Sequence, residues 1–307
     1  MYVGIDVGGM SIKAGLVSED GKLICKHSVP TPLDTTENFC NAMYEAVLGA
    51  LAMHKEKVDI KAVGIGAPGV VDRENARLMH CCNIPYKNAP VGDLLREKLN
   101  APVYVENDAN CAAVGEFYAA QDANNFIFVT LGTGVGGGII INGKLFIGSN
   151  GAGGELGHMI THADGRQCPC GLKGCWEAYA STSALIRLTE ENRDKIEVLK
   201  NGGRVSRKTA FDEARKGDKG AILVRDEWIR EISYGLFNIV NIFQPDQIVI
   251  GGAISKEGEA LLKPLRDIIA EKCYTAEDKK TPAIVASRLG DNAGIIGAAF
   301  LHKNLHN

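Results

Sequence analysis

Three observations predict an α/β protein in two lobes. Strand-type and helix-type apolar runs alternate from end to end, the pattern of sheets covered by helices. The 307 residues exceed the usual length of a single domain, about 150 residues. The stretches "GLVSEDGKLI" and "GIIINGKLF" share a glycine turn, a β-run and a Gly-Lys-apolar exit, a faint repeat that suggests one fold used twice.

The elements follow in order. "YVGIDVGG" and "SIKAGLVSEDGKLICKHSVPT" read as strand, glycine turn, strand, Asp-Gly turn and strand, an antiparallel meander. Phe39, Met43, Val47 and Leu51 recur every fourth residue and mark one face of a helix. "AVGIGAPGVVD" is a buried strand entering a Pro-Gly loop, and "PVYVENDANCAAVGEFYAA" is a short strand breaking into a helix. In "NFIFVTLGTGVGGGIIINGKLF" Asn142-Gly143 turns one β-branched strand into the next. "AYASTSALIRL" and "ILVRDEWIREISYGLFNIVNIF" are helical, the latter stopped by Pro245. "DQIVIGGAIS" is a strand leading into a further helix, and "NAGIIGAAFLH" is a closing helix. The expected division is a small lobe of 1–112 with 291–307 and a large lobe of 113–290.

Composition narrows the function. Hydrophobic residues at 45% and charged residues at 23% suit a globular enzyme. No apolar run is long enough for a membrane helix, and "MYVGIDVGGM" lacks the basic start of a signal peptide, so a cytoplasmic location is expected. A net charge of −3 argues against nucleic-acid and membrane partners. Cys25, Cys40, Cys81, Cys82, Cys111 and Cys273 are scattered, as small core hydrophobes are in a reducing compartment.

Two local matches to nucleotide motifs fail on context. Gly132 to Gly137, "GTGVGG", fits G-x-G-x-x-G with Glu155 near the place of a ribose acid, but a hairpin follows where a helix is needed. "GIIINGKL" approaches a Walker A loop, yet Leu145 stands where a hydroxyl would hold Mg²⁺. What remains is a glycine-rich turn between strands, occurring at "DVGGMSIK" and at "LGTGVGGG". Without Cβ atoms, Gly8, Gly9 and Gly132, Gly134, Gly136, Gly137 let backbone N–H groups surround phosphate oxygens; Ser11, Lys13 and Thr133 add donors. Simple hairpin shaping is the alternative. Asp6 could hold Mg²⁺ through water.

"VENDAN" sets Asn107 and Asp108 where a strand ends and a helix begins. They read either as helix caps or, if phosphoryl transfer is the reaction, as an orienting amide and a base. Glu155 and Glu177 could accept hydroxyl hydrogens of a sugar. Between them Cys168, Cys170 and Cys175 form C-x-C-x4-C, a thiolate set suited to structural zinc with His158 or His162 as fourth ligand. Spacing does not choose between the histidines, and three free thiols are the alternative.

"GIDVGGMSIKAGLV", "GIGAPGVVD", "VENDANCAAVGE", "LGTGVGGGIIINGKL", "GAGGELGHM", "CPCGLKGCWEAYAS" and "IVIGGAIS", in this order, resemble the ROK family of sugar kinases and sugar-responsive repressors. The resemblance implies an actin-like, ribonuclease-H-like two-lobed ATPase fold with a zinc-binding loop. It makes Asp108 the base and gives Asn107, Glu155, His158 and Glu177 to the sugar, with the loop around Gly69 closing over it. It selects His158 as the zinc ligand beside Cys168, Cys170 and Cys175. It adds Val135 to the second phosphate turn and brings Gly251 and Gly252 near the adenosine. Met10 departs from the family, which usually has Thr there, and Ser11 is the candidate to replace the lost hydroxyl.

The resulting expectation is ATP- and Mg²⁺-dependent phosphorylation of a hexose, foremost the 6-hydroxyl of glucose, with N-acetylmannosamine, N-acetylglucosamine, allose or fructose as alternatives. A repressor is disfavoured, because "GIDVGG" begins at residue 4 with no helix-turn-helix before it. The resemblance also implies a homodimer or homotetramer. Zinc removal is expected to weaken sugar binding before ATP binding, and His162 to be dispensable.

Overall fold

Tyr2–Val7 (β1), Ser11–Val17 (β2) and Leu23–Pro30 (β3) make the expected antiparallel meander, with Tyr2 opposite Val17 and Ser11 opposite Pro30. The structure, a computed structural model, describes residues 1–54, 56–80, 84–120, 123–274, 277 and 280–304. Thr36–Met53 (α1) starts at Thr35, whose hydroxyl accepts the Asn38 N–H. Its Phe39, Met43 and Val47 are fully buried in one apolar cluster with β1 and β2, while Leu51 lies at the edge of that cluster. Ala62–Ala67 (β4) is buried throughout and leads into the short hairpin Val70–Asp72 (β5) and Arg77–His80 (β6). Asp93–Leu99 (α2), Val103–Asn107 (β7) and Asp108–Ala120 (α3) follow.

Phe126–Leu131 (β8), Val135–Ile141 (β9) and Lys144–Leu145 (β10) repeat the opening meander. Asn142 and Gly143 both take positive φ, 53° and 75°, as a tight two-residue hairpin requires. The helices Glu177–Ala180 (α4), Thr182–Glu191 (α5), Glu197–Lys200 (α6), Thr209–Arg215 (α7) and Lys219–Phe243 (α8) precede Gln247–Gly251 (β11). Glu259–Lys272 (α9), Ala283–Ala286 (β12), Ala293–Ala299 (α10) and Leu301–Asn304 (α11) complete the chain.

The first sheet has the order β3-β2-β1-β4-β7 and the second β10-β9-β8-β11-β12. In each, the third, second and first strands stand beside the fourth and fifth, so the faint sequence repeat is a repeat of topology. Strands β1, β4 and β7 are mutually parallel, as are β8, β11 and β12. Helix α10 packs directly on β1 and β4: a Cβ at Gly64 would land on the Ala298 carbonyl oxygen.

Two compact units emerge: 1–124 with 138–154 and 288–307, and 125–137 with 155–287. Residue 112, where the sequence reading divides the lobes, lies inside α3, which belongs whole to the first unit.

The single helix expected over "AYASTSALIRL" is two. Ser181 is extended (φ −68°, ψ 161°) and its hydroxyl caps α5 by accepting the Ala184 N–H. Helix α8 begins three residues before the expected run because Asp218 caps it, and it ends at Gln244, which takes φ 43° just before Pro245. Helices α2, α6 and α7 were not anticipated; each spans seven residues or fewer, too short for periodicity to register. Cys40, Cys111 and Cys273 are buried and Cys25 partly so, while Cys81 and Cys82 lie outside the described residues. Among the described residues no helix is long and apolar enough to cross a membrane.

Candidate functional site

In the first unit the parallel strands β1, β4 and β7 end on one edge, with Asp6 opposite Gly66 and Ala67 opposite Asn107. Such carboxyl-end edges are where α/β sheets receive ligands. Asp6 faces Lys13, its cross-strand neighbour, at 3.5 Å. Burial pushes the Asp6 carboxyl up; Lys13 opposes this and Asp291 adds to it. The first glycine turn closes through the Gly8 N–H on the Ser11 carbonyl, and Thr31 pins it by donating to the carbonyls of Gly8 and Met10. Met10 itself is 91% exposed.

Asn107 does two things at once. Its amide donates to the Gly69 carbonyl at 3.2 Å, tying down the sugar-loop candidate, while its Oδ1 accepts the N–H groups of Ala109 and Asn110 as a helix cap. Gly69 holds φ 83°, a left-handed conformation that favours glycine. Asp108 is the first residue of α3, half-buried, with Oδ1 accepting the Ala109 N–H at 2.8 Å.

Sequence reasoning missed the residue pair beneath this edge. Glu106 is fully buried and holds Arg73 bidentately, with both N···O distances 2.6 Å. Glu106 also accepts the Asn107 N–H and the Asn110 amide, and Arg73 donates to the Gly151 carbonyl. One ion pair thereby cross-braces the β5–β6 turn, the strand end bearing Asn107 and Asp108, and the glycine loop at 148–154. A clue was present: Glu106 directly follows the apolar run Val103–Val105 of β7, and a buried acid requires a partner.

In the second unit the turn at 131–135 borders a cavity of about 610 Å³, lined by Gly132, Thr133, Thr182, Ser183, Arg207 and Lys208 among others. Gly251 pairs with Thr130 across β8 and β11, and Gly252 (φ 84°) packs against the Leu131 carbonyl, so both glycines adjoin this rim. The N–H of Gly132 bonds to the Gly134 carbonyl, and the N–H of Val135 to Glu177 Oε2 at 2.9 Å. Gly136 and Gly137 are already within β9. Thr182, Ser183, Arg207 and Lys208 escaped notice, although the basic pair just before α7 was a readable signal of an anion-facing loop.

The cysteine loop gathers its donors as the resemblance implied. Ligand atoms of His158, Cys168, Cys170 and Cys175 all lie within 4.8 Å of one another. Cys168 Sγ is 3.7 Å from His158 Nδ1, and Cys170 Sγ is 3.6 Å from Cys175 Sγ. A zinc tetrahedron with Zn–S near 2.3 Å has edges of roughly 3.8 Å, so the donor set fits the ion in chemistry and spacing. Burial raises the thiols of Cys168 and Cys175, the latter to about 12, and a divalent ion is what makes buried thiolates tenable. Gly174 takes φ 80° with its α-carbon against the His162 carbonyl, where a Cβ would collide.

His162 is outside the donor set but engaged elsewhere. Its ring stacks on Tyr179 at 3.9 Å and its Nε2 lies 3.4 Å from Glu231. Glu155 is exposed and caps the three-residue turn Leu156–His158 with its carbonyl. Asp6, Gly69, Asn107 and Asp108 thus share the first unit, and Glu155, His158, Glu177 and the second turn share the other.

This arrangement of duplicated sheets, glycine turns and a Cys/His loop defines the actin-like sugar-kinase class of fold, matched at 38% identity with TM-score 0.79 by a ROK family glucokinase from Streptomyces griseus in complex with glucose and AMPPNP, over 98% of each chain. The chain belongs to the ROK family, whose profile matches residues 2–305. It is 36% identical to a glucokinase of Thermotoga maritima over 98% of this chain and 96% of that one. It is 37% identical to a glucokinase of Streptomyces coelicolor over 99% and 98%.

Proposed function

We propose that the protein is an ATP-dependent hexose kinase that phosphorylates the 6-hydroxyl of glucose. The observation that carries this reading is the full-length similarity to glucokinases, one of them seen with glucose and an ATP analogue. The site geometry supports it with a carboxylate at a sheet edge in one unit and a glycine turn beside a nucleotide-sized cavity in the other.

Asp108 accepts the proton of the attacking hydroxyl as the oxygen approaches the γ-phosphorus in line. Asn107, Glu155, His158 and Glu177 grip the remaining hydroxyls, and the Gly69 loop covers the ring. The turns at Gly8, Gly9, Ser11, Lys13 and at Gly132, Thr133, Gly134 receive the phosphates, with Gly251 and Gly252 beside the adenosine. Asp6 would hold Mg²⁺ through water, and the ion would supply positive charge to the triphosphate. His158, Cys168, Cys170 and Cys175 would hold structural zinc, which keeps the chain between Glu155 and Glu177 in shape. The active assembly is a homodimer or homotetramer, checked by sedimentation.

A coupled assay over glucose, N-acetylmannosamine, N-acetylglucosamine, allose and fructose tests the assignment, with glucose expected to give the highest kcat/KM. Asp108→Asn should lower kcat by about 10²–10⁴, the usual contribution of a general base, while glucose binding persists. Turnover close to wild type in that variant would remove Asp108 from its role.

A further inference from the structure

The stretch from Cys175 to Thr182 connects the metal loop to the second glycine turn at both of that turn's shoulders. At one shoulder Glu177 Oε2 accepts the Val135 N–H at 2.9 Å. At the other, the Thr182 N–H donates to the Gly132 carbonyl at 2.8 Å and its hydroxyl to the Leu131 carbonyl at 3.1 Å. The stretch is itself anchored: Trp176 is fully buried, its indole N–H donates to the Glu231 carbonyl, and its ring lies against Gly235 of α8. Glu177 Oε1 points back toward the metal loop, 3.8 Å from Cys168 Sγ. Glu177 also fills the space a Cβ on Gly134 would need, so the turn closes against this carboxylate.

This geometry departs from two expectations. The Val135 N–H is already engaged, which makes Val135 a fixed shoulder of the turn and not a phosphate donor. The metal loop also touches the nucleotide side of the unit as well as the residues assigned to sugar.

We propose that Glu177 is a positioning residue for the phosphate turn, through which the metal loop sets the affinity for the nucleoside triphosphate. The inference rests on the kinase reading, in which that turn binds phosphate. The physical basis is preorganisation: a turn held in its binding shape loses less freedom when the anion arrives. Losing the brace at Val135 frees a charge-assisted hydrogen bond and the turn it orders.

The test is ATP binding by titration calorimetry to zinc-loaded protein without sugar, with zinc content and unfolding midpoint recorded for each variant. Glu177→Ala should weaken ATP about 10-fold or more, the scale of one hydrogen bond to a charged group. Glu177→Gln, whose amide oxygen can still accept the Val135 N–H, should recover most of that loss. Thr182→Val keeps its backbone donor and should give a smaller effect in the same direction. A zinc-selective chelator should weaken ATP binding to wild type but add little to Glu177→Ala, because both act through one contact.

Unchanged ATP affinity in Glu177→Ala, a Glu177→Gln as impaired as the alanine variant, or a loss confined to glucose binding each overturns the proposal. Wild-type protein that binds no ATP overturns the kinase reading, and this inference with it.

Discussion

Removing Arg73 should be among the most damaging single changes in the first unit. Its guanidinium is bonded twice to a carboxylate whose side chain is 0% exposed, and itself is 17% exposed. Arg73→Met leaves that carboxylate buried without a counter-charge, a loss of about 3–5 kcal/mol. Glu106→Leu with Arg73→Met removes both charges. What then remains is the cost of the Asn107 N–H and Asn110 amide losing their acceptor, about 1–3 kcal/mol. The double variant should therefore be more stable than Arg73→Met alone, and far more stable than the summed single losses. Urea unfolding followed by far-ultraviolet circular dichroism at constant m measures this. Arg73→Lys should fall between, since an ammonium keeps the charge without the fork. Additive single losses, or Arg73→Met costing under about 1 kcal/mol, would refute the paired-charge argument.

Other consequences are sharper in sign than in size. Burial lowers the His302 imidazole, so its contribution to stability is present above about pH 6.5 and lost as pH falls through the depressed folded value. His302→Phe should flatten that acid-side decline in an unfolding-midpoint series. His158→Ala should abolish stoichiometric zinc by metal analysis, whereas His162→Ala should retain it and lose about 1 kcal/mol from the Tyr179 stack. Gly174→Ala should also lose zinc, because its positive φ and the His162 carbonyl leave no room for a methyl group. Gly64→Ala should cost several kcal/mol of unfolding free energy by forcing α10 off β4.

The local chemistry was legible from residue order. Asp20-Gly21 and Asn142-Gly143 announce hairpins because their backbone conformations are intrinsic to those residue types. The four-residue spacing from Phe39 to Val47 marks a buried face because a helix turns every 3.6 residues, about one apolar position per turn. Short helices were not legible: α7 buries Ala210, Phe211 and Ala214 within seven residues, too brief a pattern to separate from chance. The break at Ser181 was likewise hidden, since serine is as ordinary inside such a segment as at a cap until its hydroxyl finds Ala184.

By itself the sequence determined the α/β class, the glycine turns and the cysteine set, which follow from local periodicity, backbone preference and spacing; the doubled topology was hinted at by a faint repeat and became visible in the strand orders of the two sheets. Spacing alone left His158 and His162 open and the family resemblance pointed to His158; the tertiary structure brings His158 to the thiols and stacks His162 on Tyr179. It also decided that Arg73 finds Glu106 across 33 positions of chain and that Glu177 reaches Val135 across 42. Those outcomes depend on where folded segments meet, and a side chain's partner across such distances is chosen by packing and burial, not by neighbours in the chain.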